Sequence, residues 1–429
     1  MTGNQRCACV TVGLVALAWP LRAQIQVRPT FDPDRLVADV QTYHDFGVHR
    51  TAHPGDLATS AWLAERFRAM GLQTSGHTFT LRQFFLEEAS IDDARGRIEA
   101  FPIWLPRTTP EGGATARLVI VDDATPAGDI RGAIAWLRPD GDAAARARLD
   151  LKAIDAGAAA ILIETTDGAG LGVLQAINAE RSYVDRERPV PTLIFGAADT
   201  PRLRQSVGLD VTVRITGQMV DDARATSTMG RRVVDEDADW IVVSTPSSGW
   251  FTVAGERAPG IAMLLALAEW VGTRTDGSNH LFVATSGHEL DFLGARLLHE
   301  AHLAPPPERT RAWVHLGAQI ATPPWEEVDG VLRPTDRVTA GTLQATEDLA
   351  PAMRDAFAHL PMYTLRTDTR IGEFRDLVEH GYRGLGIVGG SNPWFHVPGD
   401  DPRSVHGETL AAVTAAMAQA LLAVEGLEP

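Results

Sequence analysis

A histidine and a glutamate adjacent in the chain, His288 and Glu289, are the residues that most directly suggest chemistry. They follow residues 281–284, a short apolar run typical of a buried strand in a parallel sheet, and residues 285–287 break that run. An amphipathic segment at 290–300 then predicts a helix. In open α/β sheets, ligands bind outside the carboxyl ends of the strands. The pair is therefore a candidate acid–base site; the alternative is a solvated turn in which Glu289 offsets the positive end of the next helix.

Alternating strands and helices predict the scaffold that would position this pair. Apolar stretches typical of buried strands lie at residues 240–243, 281–284, 311–316 and 384–388, and helical patterns lie at 260–271, 290–300, 349–360 and 408–425. This alternation favours an α/β fold with a mostly parallel, doubly wound sheet and helices on both of its faces.

The chain divides into a discontinuous main domain and a smaller insert. Residues 102–113 contain Pro and Gly with little periodicity, which predicts a linker. Residues 114–217 then carry short buried-type strands around a helix at 149–156. Their order resembles the protease-associated domain, a small α/β module that is inserted into secreted peptidases and shapes substrate access there. We therefore predict a main domain at 24–113 and 218–429 that is interrupted by this insert.

The composition is that of a folded, acidic protein. The chain has 429 residues, 45% of them apolar and 22% charged, and its formal net charge is −16 at pH 7. That length is enough for two or three domains and a sizeable core. The negative charge argues against nucleic-acid partners and against binding to anionic membranes.

The first residues have the layout of a secretory signal peptide. Arg6 precedes an apolar run at 7–19, and cleavage after Ala23 would give a signal peptide at 1–23. The run is too short for a stable bilayer anchor, so we expect no membrane insertion after cleavage. The two cysteines of the chain lie in this run and leave with it, which excludes disulfide and thiolate chemistry in the mature protein. We predict a periplasmic or extracellular protein.

Four landmarks of the main domain resemble the exported zinc aminopeptidases of clan MH, relatives of leucyl aminopeptidase, glutamate carboxypeptidase and glutaminyl cyclase. They are the strand at 241–243, the helix at 260–268, the turn and helix at 287–295, and the Phe-His-Val-Pro-Gly-Asp motif at 395–400. Family members carry a His-x-Asp loop, an Asn-Asp-x-x-Ser-Gly loop, a Glu-Glu turn and a His-Thr-Pro-x-Asp loop at these places. The resemblance implies the zinc-aminopeptidase fold and, in typical members, two zinc ions, five ligands and a glutamate general base.

The sequence departs from the family pattern at several of these positions. The first histidine ligand falls on Pro246, and the aspartate ligand after the strand at 311–316 falls on Gly317. The general-base glutamate falls on His288. An ordinary two-zinc site is therefore not expected, because too few protein ligands remain.

Three family positions keep a residue that can bind a metal. The bridging aspartate falls on Glu256, the second glutamate is kept as Glu289, and the last histidine is kept as His396. Glutaminyl cyclases hold one zinc with these positions, and three protein ligands plus water are usual for a catalytic zinc. His315 lies two residues before the lost aspartate position, on the same face of a strand, and could replace it. On this interpretation one zinc is bound and His288 is the general base.

A second interpretation is metal-free acid–base catalysis by the histidines and carboxylates of the same cleft, which could shift one another's pKa values. Hydrolysis of an ester or amide, a lyase step or a cyclisation would then be open to the protein. A serine nucleophile is conceivable, since hydroxyl side chains line the first ligand loop: Ser244, Thr245, Ser247 and Ser248. However, the sequence has no Gly-x-Ser-x-Gly elbow, and hydroxyls are common in such loops.

A third interpretation is a pseudopeptidase that binds a peptide or small molecule without turnover, as the changes at Pro246 and Gly317 suggest. The cleft would then keep a polar contact at Ser248 and apolar walls from neighbouring aromatic residues, namely Trp250, Phe251, Trp394 and Phe395. The same aromatic residues could equally be part of the core.

Other polar residues are expected to have structural roles. Glu373 and Asp376 should form salt bridges with Arg370 or Arg375, and Asp400 should hold the loop of the last histidine or bond the second ring nitrogen of that histidine. Four histidines are expected at helix ends or exposed positions: His280, His299, His302 and His380.

Taken together, the sequence predicts an exported protein of the aminopeptidase fold that acts on amide bonds of peptides or small amino-acid derivatives, with at most one zinc. Metal-free catalysis and binding without turnover are the alternatives.

Overall fold

The computed structural model describes residues 29–138, 143–166, 170–275, 277–329, 331–390 and 392–427. The predicted signal peptide, residues 1–23, lies outside the described residues.

Helices and strands alternate through most of the described chain. The helices are α1 (Pro33–Asp45), α2 (Pro54–Ala69), α3 (Ala127–Ile130), α4 (Ala143–Ala156), α5 (Thr200–Arg204), α6 (Ala258–Gly272), α7 (Leu293–Glu300), α8 (Ala350–Phe357), α9 (Glu373–Glu379) and α10 (Gly407–Glu425). The strands are β1 (Gln73–Asp93), β2 (Gly96–Pro102), β3 (Ala114–Val121), β4 (Ile134–Leu137), β5 (Ala160–Thr165), β6 (Thr192–Gly196), β7 (Asp210–Arg232), β8 (Trp240–Pro246), β9 (Asn279–Thr285), β10 (Thr310–Leu316), β11 (Trp325–Val328), β12 (Val331–Pro334), β13 (Gly341–Ala345), β14 (Tyr363–Arg366) and β15 (Gly384–Val388).

The centre of the main domain is a parallel sheet. Strands β9, β8, β10 and β15 lie side by side in that order and pair in parallel. Antiparallel β7 flanks β9, and antiparallel β13 flanks β15. The predicted fold class, a mostly parallel sheet with helices on both faces, is confirmed.

The predicted insert forms a second group of strands. Strands β3, β4, β5 and β6 pair in parallel, and β2, β1 and β7 connect β6 back to β3, so that these strands close a ring of pairings. Strand β3 begins at Ala114, where the insert was predicted to begin. Strand β7 crosses the predicted end at residue 217 without a break and continues into the main sheet. The division into domains stays a prediction.

The central strands are buried because helices cover both faces of the sheet. Alternate residues of β8 point in opposite directions: Ile241 and Val243 pack with α1, α2, α6, α8 and α10, whereas Val242 packs with Leu298 of α7 and Phe374 of α9. Both α6 and α10 are apolar around most of their circumference, as expected for helices inside a core. By length and hydropathy, α10 alone among the described helices could also cross a membrane, but 61% of that apolar window is buried inside the protein.

The helix predicted at residues 290–300 begins three residues later, at Leu293. Asp291 and Phe292 have φ values of +53° and +56°, in the left-handed region that non-glycine residues rarely adopt. The turn after β9 therefore extends to Phe292, and this longer turn carries both His288 and Glu289.

Candidate active site

The turn that carries His288 is held by hydrogen bonds from its backbone N–H groups to a side chain of a neighbouring loop. Ser248 Oγ accepts hydrogen bonds from the N–H groups of Gly287 (2.7 Å) and His288 (3.2 Å). Gly294, at the start of α7, lies so close to this turn that a Cβ there would be 1.9 Å from the carbonyl oxygen of Ser286. A glycine is therefore required where the helix packs against the turn.

The imidazole of His288 is paired with a carboxylate from the first residue of α9. His288 Nδ1 lies 2.9 Å from Glu373 Oε1, and Thr285 Oγ1 donates to the other oxygen of Glu373 at 3.3 Å. The prediction that Glu373 pairs with an arginine is wrong. Its carboxylate is buried and contacts His288 and Thr285 instead. Asp376, one turn later on α9, does pair with Arg375, at 3.5 Å.

Burial shifts both members of this pair toward their neutral forms. It lowers the pKa of His288 well below its usual value, and the nearby Arg257 charge lowers it further, while Glu256 acts in the opposite direction. Burial also raises the pKa of Glu373, against the opposing effects of His315 and Arg257. An imidazole that stays neutral across the physiological pH range can accept a proton.

Glu289 is fixed by hydroxyl and backbone donors. Its Oε1 accepts from Thr51 N (2.7 Å) and Thr51 Oγ1 (2.6 Å), and its Oε2 accepts from Ser248 Oγ (2.7 Å). Ser248 thus connects Glu289 to the backbone of the His288 turn. Both carboxylate oxygens are occupied by protein donors, so Glu289 ties the turn to the loop before α2.

Glu256, two residues before α6, lies between a histidine and an arginine. His396 Nε2 is 3.2 Å from Glu256 Oε1, and Arg257 Nη2 is 2.7 Å from the same oxygen. Burial alone raises the pKa of Glu256, but the Arg257 charge and His396 outweigh burial and hold that pKa at about 2. Glu256 is therefore a buried carboxylate anion. Arg257 was missed by the sequence reasoning, although a basic residue directly after the predicted bridging acid was visible there.

His396 is oriented from two sides. Its Nδ1 lies 3.0 Å from the carbonyl oxygen of Ala176, which belongs to the predicted insert, and its backbone has a left-handed φ of +58°. Asp400 does not bond the second ring nitrogen of His396. Instead it accepts from the backbone N–H groups of Gly255 and Glu256, both at 2.9 Å, and so ties the His396 loop to the Glu256 loop.

His315 points into the same side of the main sheet as Glu373. Its Nδ1 is 3.2 Å from Ser244 Oγ, which also accepts a hydrogen bond from Trp313 Nε1 at 2.7 Å. Burial lowers the pKa of His315 to about 4, with opposition from Glu373. His315 therefore packs as a neutral side chain behind the His288 pair.

The side chains predicted to bind zinc are not arranged as a zinc site in this structure. The oxygens of Glu289 are occupied by hydroxyl and amide donors, and the guanidinium of Arg257 lies against Glu256. The ring nitrogens of His396 contact Glu256 and a backbone carbonyl. Within the described part of the chain, no group of three or more His, Cys, Asp or Glu side chains is placed to hold a metal ion. A zinc ligand set would require these side chains to give up their present partners.

The predicted aromatic walls divide into two pairs. Trp250 and Phe251 lie in the interior, where Phe101 contacts both, with ring centroids at 5.6 and 5.1 Å. Trp394 and Phe395 are only partly buried. The ring of Phe395 stacks on the His396 ring at 3.9 Å. Of these four rings, that of Phe395 is therefore the one placed beside His396.

A segment of the predicted insert lies across the site. The N–H of Ala176 donates to the carbonyl oxygen of His396 (2.8 Å), and the N–H of Ala179 donates to the carbonyl oxygen of Glu289 (2.9 Å). Arg181 then pairs with Asp291 at 2.9 Å. This covering explains why the side chains of the site are almost fully buried.

A charged groove lies next to the His288 turn. Its volume is about 560 Å³, and it is lined by Arg181, Asp291, Arg296, Glu300, Arg375, Asp376, Glu379 and His380. Phe292 separates it from the site, since its ring centroid is 4.8 Å from that of His288 and 6.0 Å from the guanidinium carbon of Arg375. The groove offers both signs of charge to a ligand.

Of the four histidines expected at helix ends or on the surface, His302 is exposed, but His280 is fully buried. His280 lies on β9, where its Nδ1 is 2.9 Å from the carbonyl oxygen of Ser278, and burial lowers its pKa to about 3. The prediction for His280 is wrong because this histidine is the second residue of a buried central strand. His299 and His380 stack on each other at 4.3 Å near the ends of their helices.

Comparison with solved structures finds the same fold in bacterial aminopeptidases. A zinc aminopeptidase from Bacillus subtilis has a TM-score of 0.74 at 17% sequence identity, covering 92% of this chain and 96% of its own. An aminopeptidase from Aneurinibacillus sp. strain AM-1 has a TM-score of 0.66 at 17% identity, covering 93% and 96%. A peptidase M28 precursor from Shewanella amazonensis has a TM-score of 0.70 at 14% identity, covering 92% and 96%. The predicted zinc-aminopeptidase-like fold is thereby confirmed.

No family model matches the sequence, and no curated protein matches it. The shared fold therefore extends over nearly the whole chain at a sequence identity below one fifth.

Proposed function

We propose that this protein is an exported hydrolase of the aminopeptidase fold that cleaves an amide bond of a peptide or small amino-acid derivative by metal-free acid–base catalysis. The observation that carries the proposal is the 2.9 Å contact between His288 Nδ1 and Glu373 Oε1. A histidine whose one nitrogen is held by a carboxylate presents its other nitrogen to a substrate or water.

His288 is the general base of the proposed reaction. With Glu373 ionised, the Nδ1–H group donates a hydrogen bond to its carboxylate, and Nε2 accepts a proton from a water molecule. The oxygen of that water forms a bond to the carbonyl carbon of the substrate, and the π electrons of the carbonyl move onto its oxygen. The electron pair on that oxygen then re-forms the carbonyl bond as the C–N bond breaks, and Nε2 returns the proton to the leaving amine. Glu373 acts as a positioning residue that fixes the tautomer.

Arg257 supplies the positive charge for the same reaction. In the proposed reaction its guanidinium, which lies beside Glu256 and whose charge acts on His288, stabilises negative charge on the carbonyl oxygen. Trp394 and Phe395 give the ligand an apolar contact, and the adjacent charged groove suits a peptide with ionised ends. These features favour a polar substrate with one apolar side chain.

The test is turnover of a panel of aminoacyl amides, dipeptides and aminoacyl esters by purified wild type in the presence of a chelator. We expect chelator-resistant hydrolysis that His288→Ala lowers by on the order of 10²-fold or more. His44→Gln, at a partly exposed position on α1, is the matched control and should keep wild-type activity. Activity that the chelator abolishes and zinc restores would contradict the metal-free mechanism.

Binding without turnover is the second candidate, and the covered site favours it. His288 is only 8% exposed and Glu256 is fully buried, beneath the segment that contains Ala176 and Ala179. A wild type that hydrolyses no member of the panel, yet gains thermal stability from one of them, would establish this alternative.

A further inference from the structure

Arg257 brings a positive charge directly against Glu256, the predicted bridging zinc ligand. It is the residue before the first turn of α6, and 2% of its side chain is exposed. Its Nη2 lies 2.7 Å from Glu256, and its charge acts on His288, His315 and Glu373. One guanidinium therefore contacts the acid that would bridge to a metal, and its charge reaches the neighbouring imidazoles of His288 and His315.

The buried charge pair has hydrogen-bonding capacity left over. Among the described residues, neither oxygen of Glu256 has a hydrogen-bond partner of good geometry, and Arg257 Nε has none either. The Glu256–Arg257 contact is thus a charge contact more than a completed hydrogen bond. Burying two charges costs several kcal/mol each unless their mutual attraction offsets it, so Glu256 depends on a nearby cation to remain an anion in the interior.

A divalent metal and this guanidinium compete for the same charge. Glu256 is the acid predicted to bridge to a metal, and His396 Nε2 already lies 3.2 Å from it. A zinc ion within ~2 Å of Glu256 would stand only a few ångströms from the guanidinium, and two cations at that distance repel strongly in a buried site. The arginine has the further advantage that it is part of the chain and cannot dissociate.

We infer that the guanidinium of Arg257 stands beside Glu256 where a metal ion would otherwise bind, and that its positive charge excludes a divalent metal from this cleft. This inference does not depend on the proposed function, because it concerns the charge balance of the site and holds whether or not the protein turns over a substrate.

Zinc titration calorimetry on the full chain tests this inference. The variants are Arg257→Met, which removes the charge, and Arg257→Lys, which keeps it. His396→Ala, made both alone and together with Arg257→Met, separates cleft binding from zinc binding by surface histidines. Arg366→Met, which changes a half-exposed arginine, is the control for loss of any positive charge. Circular dichroism confirms that each variant is folded, and Arg257→Gln replaces Arg257→Met if the latter does not fold.

We expect Arg257→Met to bind zinc at least tenfold more tightly than wild type, in a site that the added His396→Ala change removes. Arg257→Lys and Arg366→Met should bind like wild type. The inference is overturned if wild type itself binds one equivalent of zinc that His396→Ala abolishes, or if Arg257→Met binds zinc no more tightly than wild type. Neither result depends on catalytic activity, so failure of this inference is distinguishable from failure of the proposed reaction.

Discussion

His288 Nδ1 and Glu373 Oε1 lie 2.9 Å apart although the two residues are 85 positions apart in the chain. The histidine lies in the turn that follows β9, and the carboxylate belongs to the first residue of α9. The pair is buried, which raises the pKa of Glu373, and the charge of Arg257 opposes that rise.

If His288 is the general base, Glu373→Gln should lower kcat by on the order of 10²-fold or more, because an amide can donate to Nδ1 and stabilise the wrong tautomer. Burial raises the pKa of Glu373, so wild-type activity should rise with pH as this carboxyl ionises. A pH–rate profile for both proteins checks this. A merely structural Glu373 would leave the shape of the profile unchanged in the variant.

Glu289 is expected to stabilise the fold rather than to react. Glu289→Ala removes the acceptor for Thr51 N, Thr51 Oγ1 and Ser248 Oγ, and hydrogen bonds to a charged group contribute about 1.5–3 kcal/mol each. We expect the free energy of unfolding, measured by urea denaturation, to fall by about 3 kcal/mol or more. Glu65→Ala, on the exposed side of α2, should change it by less than ~0.5 kcal/mol. Equal effects of the two changes would contradict the anchoring role.

Asp56 should make stability depend on pH. Burial raises its pKa from the ordinary 3.8 to about 8, although Ala52 N and Ser286 Oγ donate to it. The pKa of Asp56 is thus higher in the folded than in the unfolded protein. The contribution of Asp56 to stability is therefore fully present below pH 3.8 and is lost as the pH rises through about 8. Between those values it declines by about 1.4 kcal/mol per pH unit.

Asp56→Asn should remove this component of the pH dependence. We therefore expect the free energy of unfolding of the variant, minus that of wild type, to be higher at pH 8 than at pH 5. Urea denaturation at the two pH values measures it. A difference between variant and wild type that is the same at both pH values would show that Asp56 keeps an ordinary pKa.

Gly294→Ala should destabilise the turn that carries His288. The added Cβ would lie 1.9 Å from the carbonyl oxygen of Ser286, which is backbone and cannot move aside without shifting the turn. We expect a loss of about 1–3 kcal/mol in thermal denaturation, as for other overpacked sites. Gly272→Ala is the control, because its Cβ would meet only Met70 O at 3.7 Å. If both changes were tolerated equally, the close packing of α7 on the turn would be contradicted.

The order of strands and helices was predictable because it depends on local patterns. Apolar runs of strand length and the apolar helices α6 and α10 mark the central sheet and its cover in the sequence. The helix after β9 was predicted to begin three residues too early. The left-handed backbone at Asp291 and Phe292, which delays its start, cannot be seen in the pattern of apolar residues.

Which residue types stand at the family positions was also decided by the sequence alone. The histidine at 288 and the proline and glycine at 246 and 317 are visible without any coordinates. Tertiary structure alone decided what those residues touch. Glu373 reaches His288, the oxygens of Glu289 are taken by Thr51 and Ser248, and Arg257 turns toward Glu256. Partners so distant in sequence are brought together only when the sheet and its helices pack, and burial then sets which charges can persist.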